Sequence, residues 1–242
     1  MYGRMGRIGL IILDSDLTIE PDLRRLLPEG VETHAARVVY PRRVTPENLA
    51  IASERAVAAV EQLLPVRPAA IAWACTSGSF HAGLAGNDAL TARLQEAAGD
   101  VPVTTASGAV RAAMAALGVT RPAVGTPYSA EVTERLAGFL RDCGATPAAM
   151  MRLNEGTLDD FELQDVAPET LAAFITELAA TEASDSVLLS CTGLATGQIV
   201  PAIEPRLGKP VISSNLAILW HCWRLGGIAP RPLCDCALMR TL

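Results

Sequence analysis

The chain has 242 residues, which is enough to bury a substantial core in one large domain or two lobes and too many for a small disulfide scaffold. Half of the residues are hydrophobic but only 4% are aromatic, a composition typical of short parallel strands alternating with Ala-rich helices. The formal net charge of −6 and the scattered arginines argue against a nucleic-acid partner, and no apolar stretch approaches the roughly 20 residues of a membrane span.

Eight apolar runs of strand length predict β-strands. In chain order they are Ile8–Leu13, Val31–Val39, Ala69–Ala74, Val101–Thr105, Pro122–Gly125, Thr146–Leu153, Ser186–Ser190 and Pro210–Ser213. Capping residues and terminal glycines predict helices from Thr45 to about Leu64, from Ser107 to Leu117 and from Ser129 to Asp142. This alternation predicts an α/β fold with parallel sheets, whose functional loops lie at the carboxyl ends of the strands.

The two halves of the chain repeat one another. Each half contains a buried strand that runs into Cys-Thr and a small-residue turn, at Cys75 in the first half and at Cys191 in the second. Each is followed by a Pro-led strand that enters a hydroxyl-rich helix start, at Pro102 and at Pro210. We therefore expect two α/β lobes related by a pseudo-twofold axis, each with a four-stranded parallel sheet. Residues 1–106 with 210–242 are expected to form the first lobe, and residues 107–209 the second.

The matched cysteines are the leading catalytic candidates. A thiol at a strand-to-helix turn receives N–H groups from the helix start, which should lower its pKa from about 8.5 toward neutrality. Both cysteines could instead be small buried hydrophobic residues. The other four cysteines lack the repeated context, and we expect structural or incidental roles for them, since the two sulfurs of Cys234-Asp-Cys236 are only a weak signal for a metal.

The expected substrate-binding residues flank the cysteines or follow strands. Beside the cysteines they are Thr76, Ser77, Thr192 and Gly193, which can supply donors to a carboxylate. After strands they are Asp14, Asp16, Tyr128, Asn154 and Asn215. The two aspartates also suit helix capping, and the tyrosine also suits packing at a helix start.

Metal and nucleotide motifs are missing from the sequence. It contains no CxxC pair, no GxGxxG, no P-loop and no HExxH, and its three histidines are separated. We therefore expect no cofactor and no metal. Reduced thiols fit a cytoplasmic protein, and apolar helix faces in an Ala- and Leu-rich chain are compatible with a homodimer.

Motifs along nearly the whole chain are similar to those of a known superfamily. In order they are Asp14-Ser-Asp-Leu-Thr-Ile-Glu, Thr45-Pro-Glu-Asn-Leu, Ala74-Cys75-Thr-Ser-Gly-Ser, Thr126-Pro-Tyr128, Ser190-Cys191-Thr and Pro210-Val-Ile-Ser-Ser-Asn215. They resemble the maleate isomerase and ectoine-utilisation branch of the aspartate/glutamate racemase superfamily, whose cousins include arylmalonate decarboxylases. The resemblance implies a cofactor-independent site between two lobes, with Cys75 and Cys191 at the two cysteine positions of the family.

The resemblance also distinguishes among activities. Racemases of the superfamily use both cysteines as acid and base, maleate isomerases add one to a double bond, and arylmalonate decarboxylases have only the second. Thr76, Ser77 and Tyr128 match the decarboxylase pocket for the retained carboxylate. Maleate isomerases carry Asn in the first loop where this chain has Asp16, and an anionic side chain there favours a nitrogen-bearing substrate over a dicarboxylate.

The leading hypothesis is a racemase or epimerase that acts at a carbon next to a carboxylate by a two-cysteine mechanism. Ectoine catabolism is one pathway in which such an enzyme could act. Three alternatives stay open at this stage. They are cis-trans isomerisation by thiolate addition, arylmalonate-type decarboxylation, and carboxylate binding without catalysis.

Overall fold

The fold of the chain is an alternation of eight strands and ten α-helices among the described residues. The computed structural model describes residues 2–41, 45–229 and 231–242. The strands are β1 Gly6–Leu13, β2 Val31–Val38, β3 Ala70–Trp73, β4 Val103–Thr105, β5 Pro122–Thr126, β6 Ala149–Arg152, β7 Ser186–Leu189 and β8 Val211–Ser213. Each coincides with one of the predicted apolar runs, and β6 is shorter at both ends than the run that predicted it.

Helices connect successive strands. The helices are α1 Ile19–Arg24, α2 Pro46–Leu63, α3 Thr76–Phe80, α4 Gly83–Ala98, α5 Ala106–Leu117, α6 Ala130–Asp142, α7 Asp160–Gln164, α8 Pro168–Ala179, α9 Ile199–Leu207 and α10 Ser214–Leu225. Short 3₁₀ turns occupy Leu64–Val66, Leu153–Gly156 and Met239–Thr241. The three predicted helices correspond to α2, α5 and α6. The Thr45 hydroxyl caps α2 as its sequence predicts, because it accepts a hydrogen bond from the Asn48 N–H at 3.3 Å.

The two sheets have the same topology. The strand order is β2-β1-β3-β4 in the first sheet and β6-β5-β7-β8 in the second, and every pairing is parallel. Adding four to each strand number converts the first order into the second, so the predicted duplication is confirmed at the level of the sheets. In each sheet one interior strand, β3 or β7, ends two residues before a cysteine of the repeat, Cys75 or Cys191.

The last strand differs from the lobe division expected from the sequence. That division assigned residues 210–242 to the first lobe, but β8 pairs with β7 and belongs to the second sheet. Helix α10, which follows β8, packs against β3 and β4 of the first sheet and against α5. Because α10 also contacts β8 of its own sheet, it bridges the two sheets, and the chain passes toward the first lobe after Ser213.

A continuous hydrophobic core joins the two lobes. It contains Leu10 and Ala72 of the first sheet, Val124 and Leu188 of the second, and Trp220 on α10. A second core cluster lies on the other face of the first sheet, beneath α2 and α4. The shared core holds the carboxyl edges of both sheets in a fixed relation. No helix in the described part of the chain is both long and apolar enough to cross a bilayer.

Gly125 in β5 lies where the second sheet packs closely against α8. A Cβ there would lie 2.5 Å from Leu178 Cδ1 and 2.6 Å from Phe174 Cε1. We expect Gly125→Ala to lower the free energy of unfolding by about 1–3 kcal/mol, since a well-packed core resists an added methyl group. Gly138→Ala on α6 is the matched control, because a Cβ there meets nothing within 4 Å, and it should raise stability by about 0.5–1 kcal/mol. Urea titration of both variants measures the difference, and equal effects would contradict the packing argument.

Candidate functional site

The carboxyl ends of the strands from both sheets surround one cavity of about 350 Å³. Residues after β1, β2 and β3 line it from the first lobe, and residues after β5, β6 and β7 line it from the second. This is the edge at which parallel α/β sheets carry their functional loops. Eight of the eleven site residues expected from the sequence line this cavity. They are Asp16, Cys75, Thr76, Ser77, Tyr128, Cys191, Thr192 and Gly193.

The other three expected residues lie outside the cavity lining. The Asp14 carboxylate accepts a hydrogen bond from the Tyr40 N–H at 3.1 Å, so it holds the end of β2. Asn154 is exposed and adopts φ 46° in the 3₁₀ turn after β6. Asn215 is fully buried behind the second cysteine turn, where its amide donates to the Thr192 carbonyl at 3.2 Å. These residues were expected in the site because they follow strands. The direction of each side chain, however, depends on the local turn.

Cys75 begins a helix as the sequence predicts. It is the N-cap of α3, and its sulfur accepts a hydrogen bond from the Gly78 N–H at 3.3 Å. The Ser77 hydroxyl lies 3.9 Å from the sulfur. Burial nevertheless raises the pKa of this thiol to about 12, and the nearby Asp16 carboxylate adds to the increase. The expected lowering of the pKa is therefore wrong, because loss of water outweighs two donors at the start of a five-residue helix.

Cys191 lies in a turn and not at a helix start. Helix α9 begins only at Ile199, and the residues between form a loop. The sulfur accepts hydrogen bonds from the Gly193 N–H at 3.4 Å and from the Tyr128 hydroxyl. Burial raises the pKa of the Cys191 thiol well above its usual value, and Asp16 again contributes. Both cysteines are therefore neutral thiols at pH 7 in this structure.

Asp16 lies at the junction of the two lobes. One oxygen of its carboxylate accepts hydrogen bonds from the Thr18 N–H at 2.8 Å and the Ile19 N–H at 3.0 Å, so it caps α1. The Thr192 side chain in the other lobe also donates to it. Burial raises the pKa of this carboxyl, although its donors act in the opposite direction. Asp16 therefore combines the capping role and the cavity position that the sequence left as alternatives.

Sequence reasoning missed the part of the cavity formed by α7. The Asp160 carboxylate accepts a hydrogen bond from the Ser15 hydroxyl at 2.8 Å, and the Gln164 amide donates to the Ser15 carbonyl at 3.1 Å. These contacts join the first loop of one lobe to α7 of the other. The signal in the sequence was the long polar segment after β6, at the same sheet edge as the cysteines.

Tyr40 is the second cavity residue that the sequence analysis missed. It is 2% exposed, and its hydroxyl has no hydrogen-bond partner among the residues that the structure describes. The hydroxyl interacts electrostatically with Cys75, Cys191 and Asp160, and burial raises its pKa far above the usual value. A neutral donor without a partner therefore faces the same space as both thiols.

The cysteine pair near the carboxyl terminus is remote from this cavity. The sulfurs of Cys234 and Cys236 lie 3.7 Å apart, beside the buried Glu204 carboxylate. Among residues 2–41, 45–229 and 231–242, no cluster of three or more His, Cys, Asp or Glu side chains is arranged to hold a metal.

Known proteins share both the fold and the length of the chain. A family model described as arylmalonate decarboxylase matches residues 8–239. Arylmalonate decarboxylase of Bordetella bronchiseptica is 36% identical over 93% of each chain, and maleate isomerase of Nocardia farcinica is 26% identical over 87% of this chain and 86% of its own. A liganded double mutant of arylmalonate decarboxylase superposes with a TM-score of 0.86 at 34% identity, covering 95% of this chain and 99% of the other.

Two duplicated parallel sheets with a cysteine from each in one cavity define the class of aspartate/glutamate racemase-like α/β proteins, and this prediction from the sequence is confirmed. Within that class, the chain belongs to the arylmalonate decarboxylase family. Its relatives are decarboxylating and isomerising enzymes. The sequence motifs pointed to the maleate isomerase branch of this superfamily and indicated arylmalonate decarboxylases as a related family. The family model that matches is that of the decarboxylases.

Replacement of Tyr40 by Phe tests whether its hydroxyl serves the fold. A buried polar group without a partner costs about 1–3 kcal/mol, so we expect the free energy of unfolding of Tyr40→Phe to be unchanged or higher. Tyr128→Phe is the matched comparison, because its hydroxyl donates to the Cys191 sulfur, and it should lose about 1 kcal/mol. Thermal and urea unfolding provide the measurement. A large loss of stability in Tyr40→Phe would show that its hydroxyl has a structural partner.

Proposed function

We propose that the protein is a cofactor-independent racemase or epimerase that acts at a carbon next to the carboxylate of a small substrate. The observation that carries this proposal is the presence of Cys75 and Cys191 at equivalent positions of two duplicated sheets, facing one cavity. Two acid/base groups from opposite lobes can reach opposite faces of one carbon. That is the arrangement that inversion of a stereocentre requires.

The reaction follows from the two thiols. One of the two neutral thiols first loses its proton to water. As the thiolate it removes the α-proton and becomes a thiol again, and the electron pair of the broken C–H bond moves into an enediolate. The other cysteine then gives its proton to the opposite face of the carbon and becomes the thiolate. The next turnover in the opposite direction restores the first state, so protons and charge balance without a cofactor.

Neutral donors around the cavity suit the enediolate. Thr76, Ser77 and Tyr128 line it from the two lobes, and Thr192 lies beside the second cysteine. Hydrogen bonds strengthen as negative charge develops on the carboxylate oxygens, which lowers the barrier to proton removal. The neutral Tyr40 hydroxyl is a further donor or acceptor for the part of the substrate beyond the carboxylate.

We further propose that the substrate bears nitrogen, as amino acids and ectoine-like amidines do. The support is the buried carboxylate of Asp16, which lines the cavity and has its pKa raised by loss of water. An ammonium or amidinium group would offset the cost of that buried charge, whereas a second carboxylate would add to it.

Decarboxylation of a substituted malonate is the second candidate. It is favoured by the 36% identity to arylmalonate decarboxylase and by the neutral state of Cys191. A decarboxylase needs no thiolate at the start. The C–C bond to the departing carbon dioxide breaks, its electron pair forms the enediolate, and the thiol protonates the carbon and then regains a proton from water. Raised thiol pKa values suit that acid role better than the role of base.

Deuterium exchange distinguishes these reactions. The experiment follows proton NMR in heavy water with a panel of amino acids, ectoine derivatives, maleate and arylmalonates. We expect exchange at the α-carbon of a nitrogen-bearing carboxylate, and a fall of about 100-fold or more in Cys75→Ser and in Cys191→Ser, because a general acid or base contributes on that scale. Cys143→Ser is the matched control, because this free cysteine lies outside the cavity, and its rate should match the unmodified protein.

Each other result in that panel selects a different function. Loss of carbon dioxide that needs Cys191 but survives in Cys75→Ser would favour the decarboxylase. Conversion of maleate to fumarate without α-exchange would favour thiolate addition. A shift of ligand resonances on binding, without any reaction, would favour a carboxylate-binding protein.

The pH dependence separates the two leading chemistries. Because the thiol pKa is raised, to about 12 for Cys75, the thiolate is scarce at pH 7 and increases with pH. Racemisation should therefore gain roughly tenfold in kcat/KM per pH unit between pH 7 and 9. Decarboxylation uses the neutral thiol, so its rate should be flat over the same range. A racemase with a flat kcat/KM profile over this range would contradict the raised thiol pKa, because kcat/KM follows the protonation of the free enzyme.

A further inference from the structure

The second cysteine turn is held by a carboxylate from the other lobe. Asp22, on α1 of the first lobe, is 6% exposed and approaches the loop between Cys191 and α9. Its oxygens accept hydrogen bonds from the Gly197 N–H at 2.9 and 3.0 Å and from the Thr196 N–H at 3.2 Å. A Cβ at position 197 would lie 2.9 Å from Asp22 Oδ1, so the carboxylate is in close contact with the loop backbone.

Asn215 extends this contact to the residues next to the cysteine. Its amide nitrogen lies 2.8 Å from Asp22 Oδ2, 3.2 Å from the Thr192 carbonyl and 3.1 Å from the Leu194 carbonyl. Asp22 therefore orients the Asn215 amide, and the amide in turn holds the backbone on the carboxyl side of Cys191.

The first cysteine turn is held differently. The Ser107 hydroxyl, at the equivalent point of α5, donates to the Thr76 carbonyl at 3.1 Å, just as Asn215 donates to the Thr192 carbonyl. The residues after Cys75 are already fixed by the helical hydrogen bonds of α3, including Ser79 N–H to the Cys75 carbonyl at 3.1 Å. The Cys191 turn has no such helix, and the buried carboxylate supplies the acceptors that fix it.

We propose that Asp22, through Asn215 and the backbone at Thr196 and Gly197, is a positioning residue for the Cys191 thiol. It sets the place and the water exposure of one of the two thiols and leaves the other unaffected. A carboxylate is suited to this position because three N–H groups converge on it, and each oxygen can accept more than one of them.

The test is the rate of alkylation of each cysteine by iodoacetamide, followed by mass spectrometry of the peptides in the folded full chain. Asp22→Asn turns an amide N–H toward other donors and should release the loop. More water then reaches Cys191, its pKa falls, and its alkylation rate should rise roughly tenfold for each unit of pKa lost. The rates of Cys75 and of the fully buried Cys222 should not change.

Glu204→Gln is the matched control. Glu204 is also 6% exposed, and it accepts backbone hydrogen bonds from Val211 at 2.8 Å and Ala237 at 2.6 Å, away from the cavity. Its replacement should lower stability without changing the ratio of Cys191 to Cys75 alkylation.

Asn215→Ala is the second variant, which keeps the carboxylate and removes the amide that touches the loop carbonyls, so it should reproduce the selective effect. Unchanged Cys191 alkylation in both folded variants would overturn the proposal. Equal acceleration of Cys75, Cys191 and Cys222 would also overturn it, because global unfolding would then explain the effect.

Discussion

Burial of two thiols in one cavity is the constraint on which the chemistry of this protein depends. An ionised thiol needs water or compensating donors, and the cavity provides each sulfur with only a backbone N–H and a hydroxyl. Carboxylates at Asp16 and Asp160 disfavour the thiolates further. The site therefore starts from two neutral acids, and the proposed racemase reaction needs one of them to become a base.

The duplicated sheets explain why the acids lie where they do. An interior strand of each sheet ends at a cysteine, and the carboxyl edges of both sheets face the same space. The turns themselves are not duplicated. A short helix holds the first cysteine. Beyond the second, loop N–H groups donate to Asp22 of the other lobe, and the Asn215 amide donates to a loop carbonyl. The pseudo-symmetry thus applies to the strands and fails at the turns, where the two thiols can acquire different environments.

A family that contains both decarboxylating and isomerising relatives is understandable from this geometry. In each proposed reaction a carbon gains electron density beside a carboxylate, and neutral donors such as Thr76 and Tyr128 would stabilise that charge. The difference lies in what leaves the carbon and in whether a second thiol stands on the opposite face. Chemistry can therefore change within one fold through a few residues around the cavity.

The sequence by itself determined the strand pattern, the duplication and the matched cysteines, because strand burial and turn chemistry are local and leave a periodic record. It also identified the residues beside each cysteine that line the cavity, since neighbours of a strand end share its edge. Only the tertiary structure revealed Tyr40, α7, the outward direction of Asn154 and the buried position of Asn215. It also reversed the expected thiol pKa, because desolvation depends on what packs around a sulfur from distant parts of the chain, whereas helix-start donors are visible nearby in the sequence.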